Sequence, residues 1–192
     1  MKLINLKNTN PALLIVDVQK AFLDKDYPGL IRNNLDAEKT CGLILNKWRE
    51  LKLPVIHVRH SSLNPNSKLH KSKLGFSFND YVSPKNDEPV LTKSVNSAFI
   101  GTNLEYLLTS QNIKTLIIVG MTTNHCISTT VRMSGNLGYE TYLISDSTAA
   151  YNTMGLDGNM IDCETIYSTS LANLNEEFAK VISSEELLLS LK

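Results

Sequence analysis

Six short apolar runs alternate with segments of helical spacing along this chain of 192 residues. Each run is apolar at successive positions, which is typical of strands that are buried on both faces. The runs span residues 12–16, 54–58, 89–93, 115–119, 141–144 and 179–182. Because parallel strands need crossover helices between them, the alternation predicts an α/β fold, with a three-layer, doubly wound, six-stranded and mainly parallel sheet of the Rossmann-like type.

Helices are predicted between these strands, and one long connection is not regular. The helical segments are 35–52, Thr102 or Asn103 to Leu108, 125–137, 158–173 and 185–191. Residues 60–88 are polar and irregular, and a loop of that length in a compact domain is usually functional. The chain shows no linker and no internal repeat, so we expect one domain over residues 1–192.

Composition and charge narrow the classes of function. Nineteen basic and 19 acidic side chains cancel, which gives no electrostatic case for binding nucleic acid or an anionic membrane surface. No apolar run approaches the length of a membrane span. Three cysteines make no disulfide framework, and the N-terminus has no signal-peptide core. The expected compartment is therefore a reducing cytoplasm.

Cys126 occupies the most informative position in the chain. The buried strand 115–119 stops at Gly120, small polar residues follow, and helical spacing begins at Cys126. The thiol is thus predicted in the first turn of a helix, just past the carboxyl end of a strand. There the helix dipole favours the thiolate over the thiol. Free N–H groups of the same turn can also stabilise an oxyanion.

Two further chemical groups are predicted at the same edge of the sheet. Asp17 ends the first strand and Lys93 ends the third, and ligands bind outside the carboxyl ends of such strands. A thiol, an ammonium and a carboxylate suit nucleophilic catalysis, with Lys93 lowering the pKa of the thiol and Asp17 moving its proton. Each residue alone also has a structural interpretation, as a buried hydrophobe, a solvated cation or a turn cap.

Three motifs carry a resemblance to a known family. They are Leu14 to Phe22 (LIVDVQKAF), Thr92-Lys93 followed by Ser97-Ala98-Phe99, and Val119 to Cys126 (VGMTTNHC). In this order, from about residue 11 to 150, the chain resembles the isochorismatase-like cysteine hydrolase superfamily. That superfamily includes nicotinamidases, N-carbamoylsarcosine amidases and isochorismatases.

The resemblance implies roles for particular residues. Asp17, Lys93 and Cys126 would be the catalytic triad, and a cis peptide would join Met121 to Thr122. The N–H groups of Thr122 and Cys126 would then form the oxyanion hole. Phe22 matches a position that packs on the substrate, although a plain core role is an equal alternative. Family members are commonly dimers or tetramers, so the resemblance also implies a homo-oligomer.

The sequence departs from the nicotinamidases at their metal site. Where they carry an Asp-x-His pair, this chain reads His60-Ser61-Ser62. His57 and His60 are three apart on a strand and point to opposite faces, so they make a poor metal pair. We therefore expect no metal and no other cofactor. His57 is expected in the core, and His125 is expected to face outward.

The pocket wall is expected to come from the long loop and the end of the second strand. His60 and the loop aromatics Phe76, Phe78 and Tyr81 are its candidate residues, and they would suit an aromatic or apolar planar substrate. The alternative is that the aromatics only anchor the loop to the core. Cys41 and Cys163 are expected to be structural.

These observations lead to one main hypothesis of function and two alternatives. The main hypothesis is a metal-independent cysteine hydrolase that cleaves a C–N bond of a small amide through a Cys126 thioester. One alternative is an isochorismatase-type vinyl-ether hydrolase that uses the aspartate and lysine without a covalent step. The other is a redox-sensing or small-molecule-binding protein on the same fold. A dinucleotide site is not expected, because residues 18–22 lack the required glycines.

Overall fold

The computed structural model describes Leu6, residues 9–23 and residues 31–191, and it is organised around a six-stranded parallel sheet. The strands in chain order are β1 Ala12–Val16, β2 Val55–His60, β3 Val90–Lys93, β4 Thr115–Gly120, β5 Glu140–Ile144, β6 Thr153–Met154, β7 Met160–Ile161 and β8 Lys180–Ile182. The spatial order in the sheet is β3-β2-β1-β4-β5-β8, and every neighbouring pair is parallel. The predicted α/β fold is confirmed.

In the described residues, five α-helices and several shorter turns connect the strands. The helices are α1 Ala37–Glu50, α2 Leu104–Ser110, α3 Ser128–Asn136, α4 Cys163–Leu174 and α5 Ser184–Ser190. Single 3₁₀ turns span Lys20–Leu23, Leu74–Phe76, Asp80–Val82 and Ser145–Ser147, and a π turn spans Thr123–Ile127. None of the helices in the described part of the chain is long and apolar enough to cross a membrane.

The alternation of side chains along β1 explains the three layers. Leu13 and Ile15 face the apolar stripe of α1, which includes Ile44 and Trp48. Leu14 and Val16 face the opposite side, where α2, α3 and α4 cover the sheet. Every residue of β1 is buried, so the uninterrupted apolar run follows from burial on both faces.

Two predicted helix boundaries differ from the structure. The segment from residue 158 starts with strand β7, which pairs with β6 in a small antiparallel hairpin. Helix α4 begins only after Asp162, whose side chain accepts a hydrogen bond from the N–H of Thr165. The segment from residue 125 begins inside the π turn and continues as α3. The first boundary depends on the pairing of β6 with β7, and the second on the wider hydrogen-bonded ring of the π turn. The spacing of apolar residues encodes neither feature.

The long loop 60–88 is anchored at its end by a partly buried carboxylate. Glu88 accepts two hydrogen bonds from Arg49, at 2.7 and 2.8 Å, and contacts Nε2 of His57 at 2.8 Å. Burial alone would raise the pKa of Glu88, but hydrogen bonds from Arg49, the backbone N–H of Lys85 and His57 lower it to about 2. His57 is fully buried, as expected, and Phe78 packs edge-on against its ring. The loop is therefore tied to both α1 and β2.

Gly120 is the residue that lets β4 turn directly beside β1. Its φ is +134°, and it lies opposite Val16 in the sheet register. A Cβ added at this position would lie 1.8 Å from the carbonyl oxygen of Val16. The Met121 N–H donates to that same oxygen at 2.9 Å, so neither strand can move away without losing the contact. Only glycine fits this turn.

Gly120→Ala is therefore expected to lower the free energy of unfolding by about 3 kcal/mol or more, because strain and a backbone clash add. Chemical denaturation measures the loss. Gly138→Ala is the matched control, since Gly138 also has a positive φ, of +83°, but open space around it. That control should lose only about 1–2 kcal/mol. Equal losses in the two variants would contradict the steric argument.

Candidate active site

Four side chains that can take part in nucleophilic or acid–base chemistry lie at the carboxyl ends of four neighbouring strands. Lys93 and His60 are the last residues of β3 and β2 and are register partners. Asp17 directly follows β1, and Cys126 follows β4 within the π turn. The order β3-β2-β1-β4 therefore sets them side by side, although Lys93 lies 76 residues from Asp17 and 33 from Cys126 in sequence.

The ammonium of Lys93 is the centre of this group. Its Nζ lies 2.6 Å from Oδ2 of Asp17, 3.3 Å from Sγ of Cys126 and 3.4 Å from Nδ1 of His60. The side chains of Lys93 and Asp17 are 0% and 1% exposed. An ammonium has three N–H donors, so one donor can serve each of these neighbours. The sequence predicted the three-residue cluster, and His60 joins it as a fourth member.

Asp17 keeps one oxygen for further chemistry. Oδ2 accepts from Lys93, whereas Oδ1 is buried and has no hydrogen-bond partner among the described residues. Acceptor atoms of Asp17 and His60 and the sulfur of Cys126 lie within 4.8 Å of one another. Burial raises the pKa of Asp17, while the adjacent Lys93 charge opposes the rise. The free oxygen can therefore accept a proton from the thiol.

The pKa of the thiol does not follow the prediction. Burial and the negative charge of Asp17 raise the pKa of Cys126 to about 12, and Lys93 only partly opposes them. The expectation of a lowered pKa is wrong, because burial disfavours the thiolate and the charge of Lys93 is offset by Asp17 at 2.6 Å. Cys126 is thus a thiol at neutral pH, and a base must remove its proton before attack.

The turn that carries Cys126 has an unusual backbone. The peptide bond between Met121 and Thr122 is cis, as the resemblance implies. The carbonyl oxygen of Thr122 accepts from the N–H groups of His125 and Ile127, both at 3.2 Å, which widens the turn to a π turn. The N–H of Thr122 itself donates to no group in the part of the chain that the structure describes. That donor remains available beside the thiol.

A cavity of about 350 Å³ opens over Cys126 and Asp17. Its apolar wall comes from four side chains of four different segments: Phe22, Leu69, Met121 and Tyr151. Its polar wall is formed by side chains that carry amide, imidazole or hydroxyl groups: His60, Asn96, Thr122, Asn124, His125, Asn152 and Thr153. Such a lining is typical of a site for a small organic molecule.

Of the three residues predicted to contact the substrate, two line the cavity and one does not. Phe22 and His60 line the cavity, and Phe22 also packs against Met121. Phe76 does not line it, because its ring lies under the guanidinium of Arg59, with 4.2 Å from Cζ to the ring centroid. The expectation for Phe76 is therefore wrong, and the loop contributes Leu69 instead.

Two other loop aromatics and His125 also have defined places. Phe78 anchors the loop to His57, and Tyr81 is 57% exposed. His125 is exposed, as expected, yet it also lines the cavity. Its Nδ1 lies 3.1 Å from Oγ1 of Thr122. Desolvation lowers the pKa of His125.

Sequence reasoning missed Gln19, which fixes the end of β2. Its Oε1 accepts the N–H of His60 at 2.9 Å, and its Nε2 donates to the carbonyl oxygens of His60 and Phe76 at 3.1 and 2.9 Å. Gln19 is fully buried. The available signal was a polar amide in an otherwise apolar run, two residues after Asp17, since a buried amide needs several partners.

Residues 11–186 match the family model described as the isochorismatase domain. The chain belongs to the isochorismatase family. It is 48% identical over 177 residues to the uncharacterized isochorismatase family protein YrdC of Bacillus subtilis, covering 92% of this chain and 94% of that protein. The chain is therefore a hydrolase of the isochorismatase family.

Two further comparisons agree with this family. The crystal structure of an isochorismatase-family protein from Chromobacterium violaceum superposes with a TM-score of 0.94 at 35% identity, over 100% of this chain and 98% of that one. Nicotinamidase 3 of Arabidopsis thaliana is 26% identical over 196 residues, covering 94% of this chain and 88% of that protein. The likeness thus extends over nearly the whole chain.

The Asp17→Asn substitution tests the charge balance around Cys126. It removes the carboxylate that raises the thiol pKa and leaves Lys93 beside the sulfur. We expect alkylation of Cys126 by iodoacetamide at pH 7 to become faster by about tenfold or more. Peptide mapping by mass spectrometry measures the rate at this residue alone.

The matched control is Asp80→Asn, an exposed carboxylate outside the cavity lining, which should leave the alkylation rate unchanged. In the unsubstituted protein the rate should rise with pH through pH 10 without a plateau, because the thiol pKa is about 12. A plateau near pH 7, or no acceleration in Asp17→Asn, would contradict the argument.

Proposed function

We propose that this protein is a metal-independent cysteine hydrolase that cleaves the C–N bond of a small amide through a thioester on Cys126. One observation carries the proposal: behind the cavity that Asp17 and Cys126 line, Lys93 contacts both of them, Asp17 at 2.6 Å and Cys126 at 3.3 Å. This is an acid–base group and a nucleophile held by a single cation. The likeness to a nicotinamidase supports amide chemistry.

The first half of the reaction forms the thioester. Asp17 takes the thiol proton on Oδ1 as the sulfur of Cys126 attacks the carbonyl carbon and forms the C–S bond. The N–H groups of Thr122 and Cys126 stabilise the tetrahedral oxyanion. The C–N bond then breaks, and Asp17 returns its proton to the leaving nitrogen. The products of this half are an amine and an acyl-enzyme.

The second half restores the thiol. Asp17 accepts a proton from a water molecule that attacks the thioester carbonyl, and the C–S bond breaks. The sulfur recovers the proton and a carboxylic acid is released. The Lys93 ammonium contacts both Asp17 and Cys126, so its charge stabilises the sulfur while the thiol is deprotonated.

The donor groups around Lys93 argue against a metal at this point. Asp17, His60 and Cys126 are the described residues whose ligand atoms cluster within 4.8 Å, and all three already contact the ammonium. A metal ion placed among them would face that positive charge at short range. The serines at 61 and 62 offer no replacement for a carboxylate and a second imidazole. These residues do not fit a catalytic metal.

The thiol pKa also favours an enzyme over a redox sensor. Sensor cysteines are exposed thiolates of low pKa, whereas burial and Asp17 raise the pKa of Cys126 to about 12. Cys41 and Cys163 are both buried elsewhere, and neither lines the cavity. A thiol that becomes reactive only when a base removes its proton suits a catalytic cycle.

Cys126→Ala should reduce amide hydrolysis by about a thousandfold or more, because the nucleophile is lost. The measurement is ammonia release from a panel of small carboxamides that includes nicotinamide, together with a melting curve that should stay unchanged. Cys163→Ala, at a buried cysteine outside the cavity lining, is the matched control and should keep its activity.

Acid quench during turnover followed by mass spectrometry should find the acyl adduct on Cys126. Full activity of Cys126→Ala would overturn the covalent mechanism. Hydrolysis of a vinyl ether with no adduct and no amide turnover would favour the isochorismatase-type alternative instead.

A further inference from the structure

The charge distribution of the cavity points to the kind of molecule it accepts. Among the lining residues that the structure describes, Asp17 is the one carboxylate, and no lysine or arginine is present. Lys93 lies behind this surface with its side chain 0% exposed. Its ammonium is already engaged with Asp17, Cys126 and His60. Among the described residues, an entering ligand therefore meets the carboxylate of Asp17 and no unpaired lysine or arginine.

The two imidazoles of the cavity do not supply the missing positive charge. Burial, and then the charge of Lys93, lower the pKa of His60. Desolvation lowers the pKa of His125. Both rings are therefore neutral at pH 7. Nδ1 of His60 faces the Lys93 ammonium at 3.4 Å, where a proton on that nitrogen would meet a like charge.

The remaining polar wall consists of neutral groups that both donate and accept. Asn96 lies 3.8 Å from the sulfur of Cys126, and Asn124 lies 3.4 Å from Nε2 of His125. Asn152 accepts the N–H of Cys163 through its side-chain oxygen at 2.8 Å, which fixes the orientation of its amide. Side-chain amides pair with carbonyl, amide and urea groups without needing a charge.

Resting on the proposed function, we infer that the cavity selects uncharged carboxamides with a compact, planar or apolar body, and discriminates against carboxylate-bearing ones. A carboxylate in this cavity would lose its water, gain no cation and stand near Asp17. An uncharged amide of the same shape would meet the asparagines and the apolar wall of Phe22, Leu69, Met121 and Tyr151. The selectivity is thus built from repulsion as much as from attraction.

Matched pairs of ligands test this inference. Each pair joins a diamide to the acid amide of the same shape: terephthalamide with 4-carbamoylbenzoate, fumaramide with fumaramate, and succinamide with succinamate. Dissociation constants are measured by calorimetry on the Cys126→Ala protein, and kcat/KM is measured on the unsubstituted protein. In both measurements we expect the neutral member to be favoured by about tenfold or more.

A charge introduced into the wall should change this preference. Asn124→Lys adds a cation to the cavity and should narrow the ratio by about tenfold, whereas the uncharged control Asn124→Gln should keep it. Lys25 lies outside the described residues, so Lys25→Ala is measured as well and should leave the ratio unchanged.

The outcomes separate the inference from the proposed function. Acid amides that bind as well as their neutral partners would overturn the inference, as would a failure of every neutral member to bind. A ratio that changes in Lys25→Ala would overturn it too. Preferential binding of neutral members with no turnover would leave the selectivity standing and overturn the proposed hydrolase.

Discussion

The buried contact between the Lys93 ammonium and Asp17 is the interaction on which the rest of the site depends. An ammonium that is 0% exposed is tolerated only beside a compensating charge. The Asp17 carboxylate supplies that charge, and burial together with this carboxylate raises the pKa of Cys126 to about 12. Burial and this pair of atoms 2.6 Å apart therefore set the electrostatics of Asp17 and Cys126 together.

The sheet supplies this contact through its strand order rather than through any local sequence. Lys93 reaches Asp17 across the end of β2, where His60 stands in register with Lys93. Gln19 holds the backbone of His60 on both its N–H and its carbonyl group. On the other side, Gly120 lets β4 end against β1, so that the π turn delivers Cys126 to the same point. Rigid elements thus position all four side chains.

The fold and the core of the site could be predicted because their signals are local. Apolar runs mark buried strands, and Asp17, Lys93 and Cys126 stand at or just after strand ends, which any parallel topology brings to one edge. The β6–β7 hairpin and the π turn escaped prediction, since two-residue pairing and a single wide turn leave no period. Phe76 failed as a pocket residue because its ring direction depends on Arg59, a contact that the loop sequence does not reveal.

The thiol pKa was the least predictable property, and its physical origin also bears on the proposed preference for neutral ligands. Burial and the charge of Asp17 outweigh the lowering effect of Lys93 on the pKa of Cys126, and this balance depends on burial and distances that no sequence states. The pairing with Asp17 leaves Lys93 without charge to spare for a substrate anion. An anionic ligand would have to compete with Asp17 for the ammonium, which would raise the pKa of Asp17 further and leave more of it protonated, so that less carboxylate could take the thiol proton. An uncharged amide leaves the pair intact, so binding and proton transfer do not oppose each other.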